Sequence, residues 1–268
     1  MVFVIIILFL ICGVFGLVRY QESIEYQKYQ ENQKSLISID TDGDGFSDGF
    51  EKQMDGYDLS IPNDRYVLLF LQGENETSTG GNETLLANAQ INYGKFFEEE
   101  GVPPKNITLL IQEEATLSNL HKAIENIADK ADRNDIVLIS LCSHGMENAI
   151  FASEGTIFYS SLDEWIDEIE AKVVIVRIIA CESESALPVM EEGPCPRITL
   201  IWYGEFFSII GARPEYSAKV DADEGDNNGY ISIQEISNWY NDPNSKVVMS
   251  DISNVAHKTY LTDYKVPS

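Results

Sequence analysis

The sequence predicts an α/β domain built around a mostly parallel sheet, and three observations carry that prediction. Two apolar runs, within residues 135–145 and 172–183, are near-continuous Val, Ile and Leu without strict alternation, the pattern of strands covered on both faces. An amphipathic stretch over 162–171 lies between them, which makes a βαβ unit and therefore a parallel pair. Upstream, residues 65–131 read strand, helix, strand, helix, so the alternation continues and a doubly wound sheet follows.

Taken in order, residues 1–18 are apolar without a charged side chain and are followed at once by Arg19. This predicts a signal anchor over 1–19, with a cleaved signal peptide as the alternative, and then a polar linker over 20–39. The first basic residues come after the span, which by the positive-inside rule would leave the body in the cytoplasm. The calcium loops described next point the other way. The expectation is a single-pass cell-membrane protein with an extracellular body, or a secreted one if the leader is removed.

Residues 40–51 read Asp-Thr-Asp-Gly-Asp-Gly-Phe-Ser-Asp-Gly-Phe-Glu. Asp40, Asp42, Asp44, Asp48 and Glu51 stand at loop positions one, three, five, nine and twelve, with Gly45 at six and the Phe46 carbonyl at seven. A hard cation needs several oxygens around it and glycine permits the sharp turn between them, so the spacing predicts an EF-hand-like calcium loop. It resembles the Asp-rich calcium repeats of thrombospondin type 3 and related extracellular spacers. Residues 40–62 are expected to form a clip between the membrane segment and the core.

Residues 65–71 read as the first core strand, followed by a polar loop over 72–82. A helix is predicted over 84–100, ended by Gly101-Val102-Pro103-Pro104, then a strand over 106–111 and a helix over 116–131 with Leu120, Ile124 and Ile127 on one face. Beyond the βαβ unit, 198–203 and 206–211 are both apolar enough for the next strand. A second loop ends at Glu235 as position twelve, which puts Glu224 at one, Asp226 at three, Asn228 at five, the Tyr230 carbonyl at seven and Ser232 at nine. Glutamate at position one leaves Asp221 and Asp223 as alternative ligands. An exiting helix over 233–240 and an amphipathic tail over 252–260 complete the region 221–268.

The chemistry is expected where the two apolar runs end. His144 follows one and Cys181 the other, and in an open parallel sheet binding and catalysis collect at the carboxyl ends of the strands. A cysteine attacks carbonyls as the thiolate, which a neighbouring imidazole can generate. Gly145 allows close backbone approach and offers an amide to a developing oxyanion.

Ser143-His144-Gly145 after one strand and Ala180-Cys181-Glu182-Ser183 after the next resemble the legumain-like and caspase-like cysteine peptidases over about residues 66–218. The resemblance implies a caspase-like α/β/α sandwich over 63–220. It also implies acyl transfer through a Cys181 thioester, with His144 as general base and acid. It suggests Glu182 and Arg213 as substrate-pocket residues. Two departures stand out: residues 82–89, where legumain carries its pocket arginine, hold no basic residue, and Ser143 stands where legumain has aspartate.

A formal charge of −26 and a pI near 4.3 set nucleic acid aside as a partner, because phosphate would be repelled over most of the surface. The expected partners are a peptide or protein substrate, calcium, and the membrane through the N-terminal segment. Of four cysteines, Cys12 lies in the leader and Cys181 is the expected nucleophile, which leaves Cys142 and Cys195 as the pair that could form a disulfide. Two alternatives accompany the peptidase: a transamidase of the same chemistry, and a catalytically silent extracellular calcium-binding module.

Overall fold

Seven-residue runs of β-branched and aliphatic side chains form the middle of the molecule because each can be buried on both faces. In the computed structural model, β1 (Arg65–Leu71), β3 (Ile136–Cys142) and β7 (Val173–Ile179) are such runs, and every residue of β1 and β3 is buried. The structure describes residues 39–73, 98, 101–191, 193–203, 228, 230–239 and 246–261. The expected membrane segment, most of the 84–100 helix, the 206–211 run and Arg213, Glu224 and Asp226 lie outside the described residues. No helix among the described residues is long and apolar enough to cross a membrane.

The strands assemble into a six-stranded sheet of order β2-β1-β3-β7-β8-β9, with β2 at Ile107–Ile111, β8 at Arg197–Tyr203 and β9 at Lys246–Ser250. Every pairing from β2 to β8 is parallel, and only β9 runs antiparallel, against β8. The mostly parallel sheet that the apolar runs predict is therefore present. Of the two candidate runs after Cys181, the first is the strand beside β7.

Alternation along the strands divides the core into two layers. On β3, Val137, Ile139 and Leu141 face helix α2 (Leu117–Ala128) and helix α3 (Tyr159–Ile166), which contribute Leu120, Ile124 and Leu162 to the same cluster. Thr116 caps α2, its hydroxyl accepting the Asn119 N–H at 3.0 Å. The opposite face of β3, Ile136 and Leu138, packs with Phe46, Phe50, Tyr57, Tyr230 and Tyr260. The segment that reads in sequence as a clip ahead of the core is thus packed on the sheet, and the described residues from Asp40 onward belong to one compact unit. Phe46 and Phe50 are both fully buried, and burial of such a side chain is worth about 1.5–3 kcal/mol.

The connection between β3 and β7 holds more than the expected helix. A small antiparallel sheet of β4 (Gly145–Met146), β5 (Ala149–Phe151) and β6 (Thr156–Phe158) precedes α3. Strands of two and three residues leave no readable periodicity, although Asn148 at φ +66° supplies the left-handed turn that a tight hairpin requires. Helix α3 begins three residues earlier than its pattern suggests and ends at Ile166; its Asp163 and the Asp167 that follows it pair with the buried Arg197 at the start of β8.

Candidate active site and metal loop

His144 and Cys181 leave the sheet side by side because their strands are neighbours in register. Cys142 pairs with Ile179, and the Ser143 N–H donates to the Ile179 carbonyl at 3.1 Å as the last rung between β3 and β7. His144 follows that rung on one strand, and Ala180 and Cys181 follow it on the other. Both side chains are exposed. Gly145 then packs directly on the Cys181 turn: a Cβ there would stand 2.7 Å from the Cys181 carbonyl oxygen and 2.9 Å from Ala180 Cβ. Only glycine fits, so this residue fixes how closely the histidine segment approaches the cysteine segment.

The Cys181 turn is tight. Glu182 is left-handed, at φ 55° and ψ 22°, and opens a short 3-10 turn over Ser183–Ala186. A non-glycine residue held there costs on the order of 1 kcal/mol, and such strain concentrates at functional sites. The Ser183 hydroxyl donates to the Ala180 carbonyl at 2.8 Å, and that of Ser185 to the Glu182 carbonyl at 2.7 Å. Ser183 belongs to the Ala180-Cys181-Glu182-Ser183 motif, whereas nothing in the sequence marks Ser185. The Glu182 side chain is exposed beside Cys181, and Arg213 lies outside the described residues.

The remaining cysteines are not of this kind. Cys142 is buried in β3, and burial pushes its thiol up to about 12. Cys195 is half-buried, its thiol donating to the Ile169 carbonyl at 3.5 Å, and burial also raises it. Both are free, so the disulfide left open by the cysteine count is not formed.

The loop over 40–51 presents a cluster of carboxylates that runs from the exposed Asp40 through the half-buried Asp42 to the buried Asp44. Ligand atoms of Asp40, Asp42 and Asp44 all lie within 4.8 Å of one another. Backbone amides aim them: Gly43 donates to Asp40 at 2.7 Å, and Asp44 accepts from Phe46 at 2.6 Å and from Asn63 at 2.7 Å. Glu51 is 3% exposed, and neither of its carboxylate oxygens has a hydrogen-bond partner. Burial, then the charges of Asp44, Asp42, Asp48 and Asp40, push its carboxyl up to about 7, and burial pushes Asp44 up to about 6. A buried Glu51 carboxylate crowded by other carboxylates fits a divalent cation, since no protein donor answers it.

Asp48, expected as the ligand at position nine, also accepts from the Thr41 N–H at 2.9 Å and the Thr41 hydroxyl at 3.0 Å. Ser47 caps the single helical turn α1 (Asp48–Glu51). In the second loop, Glu235 and Ser232 form a reciprocal capping box at the start of α4 (Ile233–Trp239), Ser232 donating its N–H and hydroxyl to Glu235 at 2.8 and 2.9 Å. Asn228 accepts from the Tyr230 N–H at 2.7 Å and donates to the Tyr260 hydroxyl at 3.1 Å. The described residues of this loop therefore tie α4 to the C-terminal segment, where Ser232 bridges Tyr260.

No protein-family model and no curated protein matches the chain. Among solved structures, protein GSU0716 from Geobacter sulfurreducens is similar, at 11% identity over 76% of this chain and 99% of that one, with a TM-score of 0.49. A likeness at that level assigns neither family nor activity.

Proposed function

We propose that the chain is a cysteine endopeptidase of the legumain- and caspase-like type on a caspase-like α/β/α sandwich. The carrying observation is the pair His144 and Cys181 at the carboxyl ends of adjacent parallel strands, with Gly145 seated on the Cys181 turn. The Cys181 sulfur attacks the scissile carbonyl and forms a C–S bond while His144 takes the thiol proton. Collapse breaks the C–N bond, and the same proton leaves with the amine. Water, activated by His144, then cleaves the thioester. The N–H groups of Gly145 and Cys181 are the oxyanion donors. Calcium, held by Asp40, Asp42, Asp44, the Phe46 carbonyl, Asp48 and Glu51, would supply the positive charge that the carboxylate cluster lacks. Residues 1–19 would tether the enzyme to the membrane, with the body outside.

A peptidyl acyloxymethyl ketone, which alkylates only an activated cysteine, tests the reading. The expected result is an adduct on Cys181 that the His144→Ala variant does not form, together with cleavage of a mixed peptide library. Products joined to an added amine rather than to water would instead mark a transamidase. No adduct and no cleavage in calcium-replete protein would favour the calcium-binding module, the reading that the unpartnered Glu51 supports without any catalysis.

A further inference from the structure

Past the rung from Ser143 to Ile179, the sheet no longer holds the two reactive segments together. One chain turns into the β4–β5 hairpin and the other into the Cys181–Glu182 turn, so their separation is set by whatever crosses between these loops. Two contacts do so. Gly145 rests on the Cys181 carbonyl and limits only how near the segments can come. The Ser185 hydroxyl accepts the Asn148 N–H at 2.8 Å from the hairpin and donates its own proton to the Glu182 carbonyl at 2.7 Å. A hydroxyl is the smallest group that can do both at once.

Each end of this bridge is itself anchored. The Asn148 carbonyl accepts the Tyr159 N–H at 3.0 Å, which fixes the hairpin turn to the start of α3. Phe151 donates its N–H to the His144 carbonyl at 2.9 Å, and its carbonyl accepts the Ser143 hydroxyl at 2.6 Å, so the hairpin moves with His144. At the other end the bond falls on Glu182, the left-handed residue next to Cys181. The Glu182 carbonyl also accepts the Ser185 N–H at 3.2 Å, so loss of the hydroxyl leaves the turn formed but removes its hydrogen bond to the hairpin, and the sulfur can shift relative to His144.

We propose that Ser185 is a positioning residue, whose hydroxyl holds the Cys181 turn at working distance from the His144 hairpin. The proposal rests on the peptidase reading. Because a displacement of about 1 Å can cost on the order of 10²-fold in rate, partial relaxation in Ser185→Ala should cost roughly 10-fold. Ser185→Thr keeps the hydroxyl and should restore most of the loss.

The test measures alkylation of Cys181 by iodoacetamide between pH 5 and 9, read on the Cys181 peptide by mass spectrometry, in full-length wild type, Ser185→Ala, Ser185→Thr and His144→Ala. Circular dichroism reports the folded fraction of each. The expected result is alkylation that depends on His144, is reduced in Ser185→Ala at unchanged folded fraction, and returns in Ser185→Thr. If wild type shows that His144 dependence and Ser185→Ala matches it, or falls only in proportion to unfolding, the positioning role is wrong while the dyad stands. If alkylation of wild type is the same as that of His144→Ala at every pH, the peptidase reading fails and the Ser185 proposal goes with it.

Discussion

At the end of the sheet where β1 and β7 begin, two cations and a cluster of aromatic rings are packed against one another. Arg65 donates to the Leu261 carbonyl at 2.8 Å and lies over the Phe46 ring, and Lys172 donates to the Gly56 carbonyl at 2.8 Å with its ammonium 3.4 Å from the centre of the Tyr57 ring. Phe50 meets Phe46, Tyr57, Tyr230 and Tyr260 with ring centres 4.9–5.5 Å apart. At the other end of the same strands, a seven-residue strand length away or roughly 20 Å at ~3.3 Å per residue, His144, Cys181 and Glu182 are exposed on turns beyond the last rung. One end joins the N- and C-terminal thirds of the chain, and the other leaves exposed the groups on which the proposed chemistry rests. Rigidity and reactivity thus share the strands but not the residues, and substitutions at the two ends should separate them.

The sharpest separation is expected from the dyad. Cys181→Ala and His144→Ala should each lower turnover by on the order of 10⁶-fold, because nucleophile and base act as a unit, while the melting temperature stays unchanged. Cys142→Ala should remain active, since that thiol is buried in the sheet. A dead Cys142→Ala beside a working Cys181→Ala would reverse the assignment of the nucleophile.

Phe50→Ala removes the centre of the aromatic cluster and should cost about 3–5 kcal/mol in urea unfolding. Below the transition, Cys181 should alkylate at the wild-type rate. Loss of reactivity in fully folded Phe50→Ala protein would mean that the two ends are coupled after all.

Calcium should act at the same end, and more mildly. Free ion at ten times the dissociation constant stabilises a single site by about 1.4 kcal/mol, or about 3–5 °C in a domain of this size. Chelation should remove that increment and Glu51→Gln should weaken it. A melting temperature indifferent to calcium in the wild type would show that the Asp40 to Glu51 cluster holds no ion.

The smallest effect concerns Asp135, just ahead of β3, whose carboxyl burial pushes up to about 6 from 3.8, with Asp132 and Asp64 adding repulsion. A raised acid binds its proton more tightly in the folded state, so stability should fall as pH rises from about 4 through about 6. Saturating calcium keeps Asp44 and Glu51 from adding their own slope. Asp135→Asn, which keeps an acceptor for the Asp132 N–H, should flatten the urea midpoint across that window. An unchanged slope would assign the pH dependence to other carboxylates.

The sequence by itself determined the parallel sheet and the order of its elements, because a strand buried on both faces must be mostly apolar and the runs at 65–71, 136–142 and 173–179 are, broken only by Arg65, Ser140 and Arg177. It also determined which residues stand at the strand ends, since a run's last apolar residue is visible without any partner. The small hairpin sheet was not legible, as strands of two or three residues are too short to show a period. Nor could the sequence decide that the calcium-loop segment lies on the sheet, for Phe46 and Phe50 sit among aspartates and glycines and only find Tyr230 and Tyr260 across nearly two hundred residues of chain. The same holds for Ser185 and for the engagement of Asp48 by Thr41. Hydrogen bonds between loops depend on where those loops are carried, and only the packed tertiary structure carries them there.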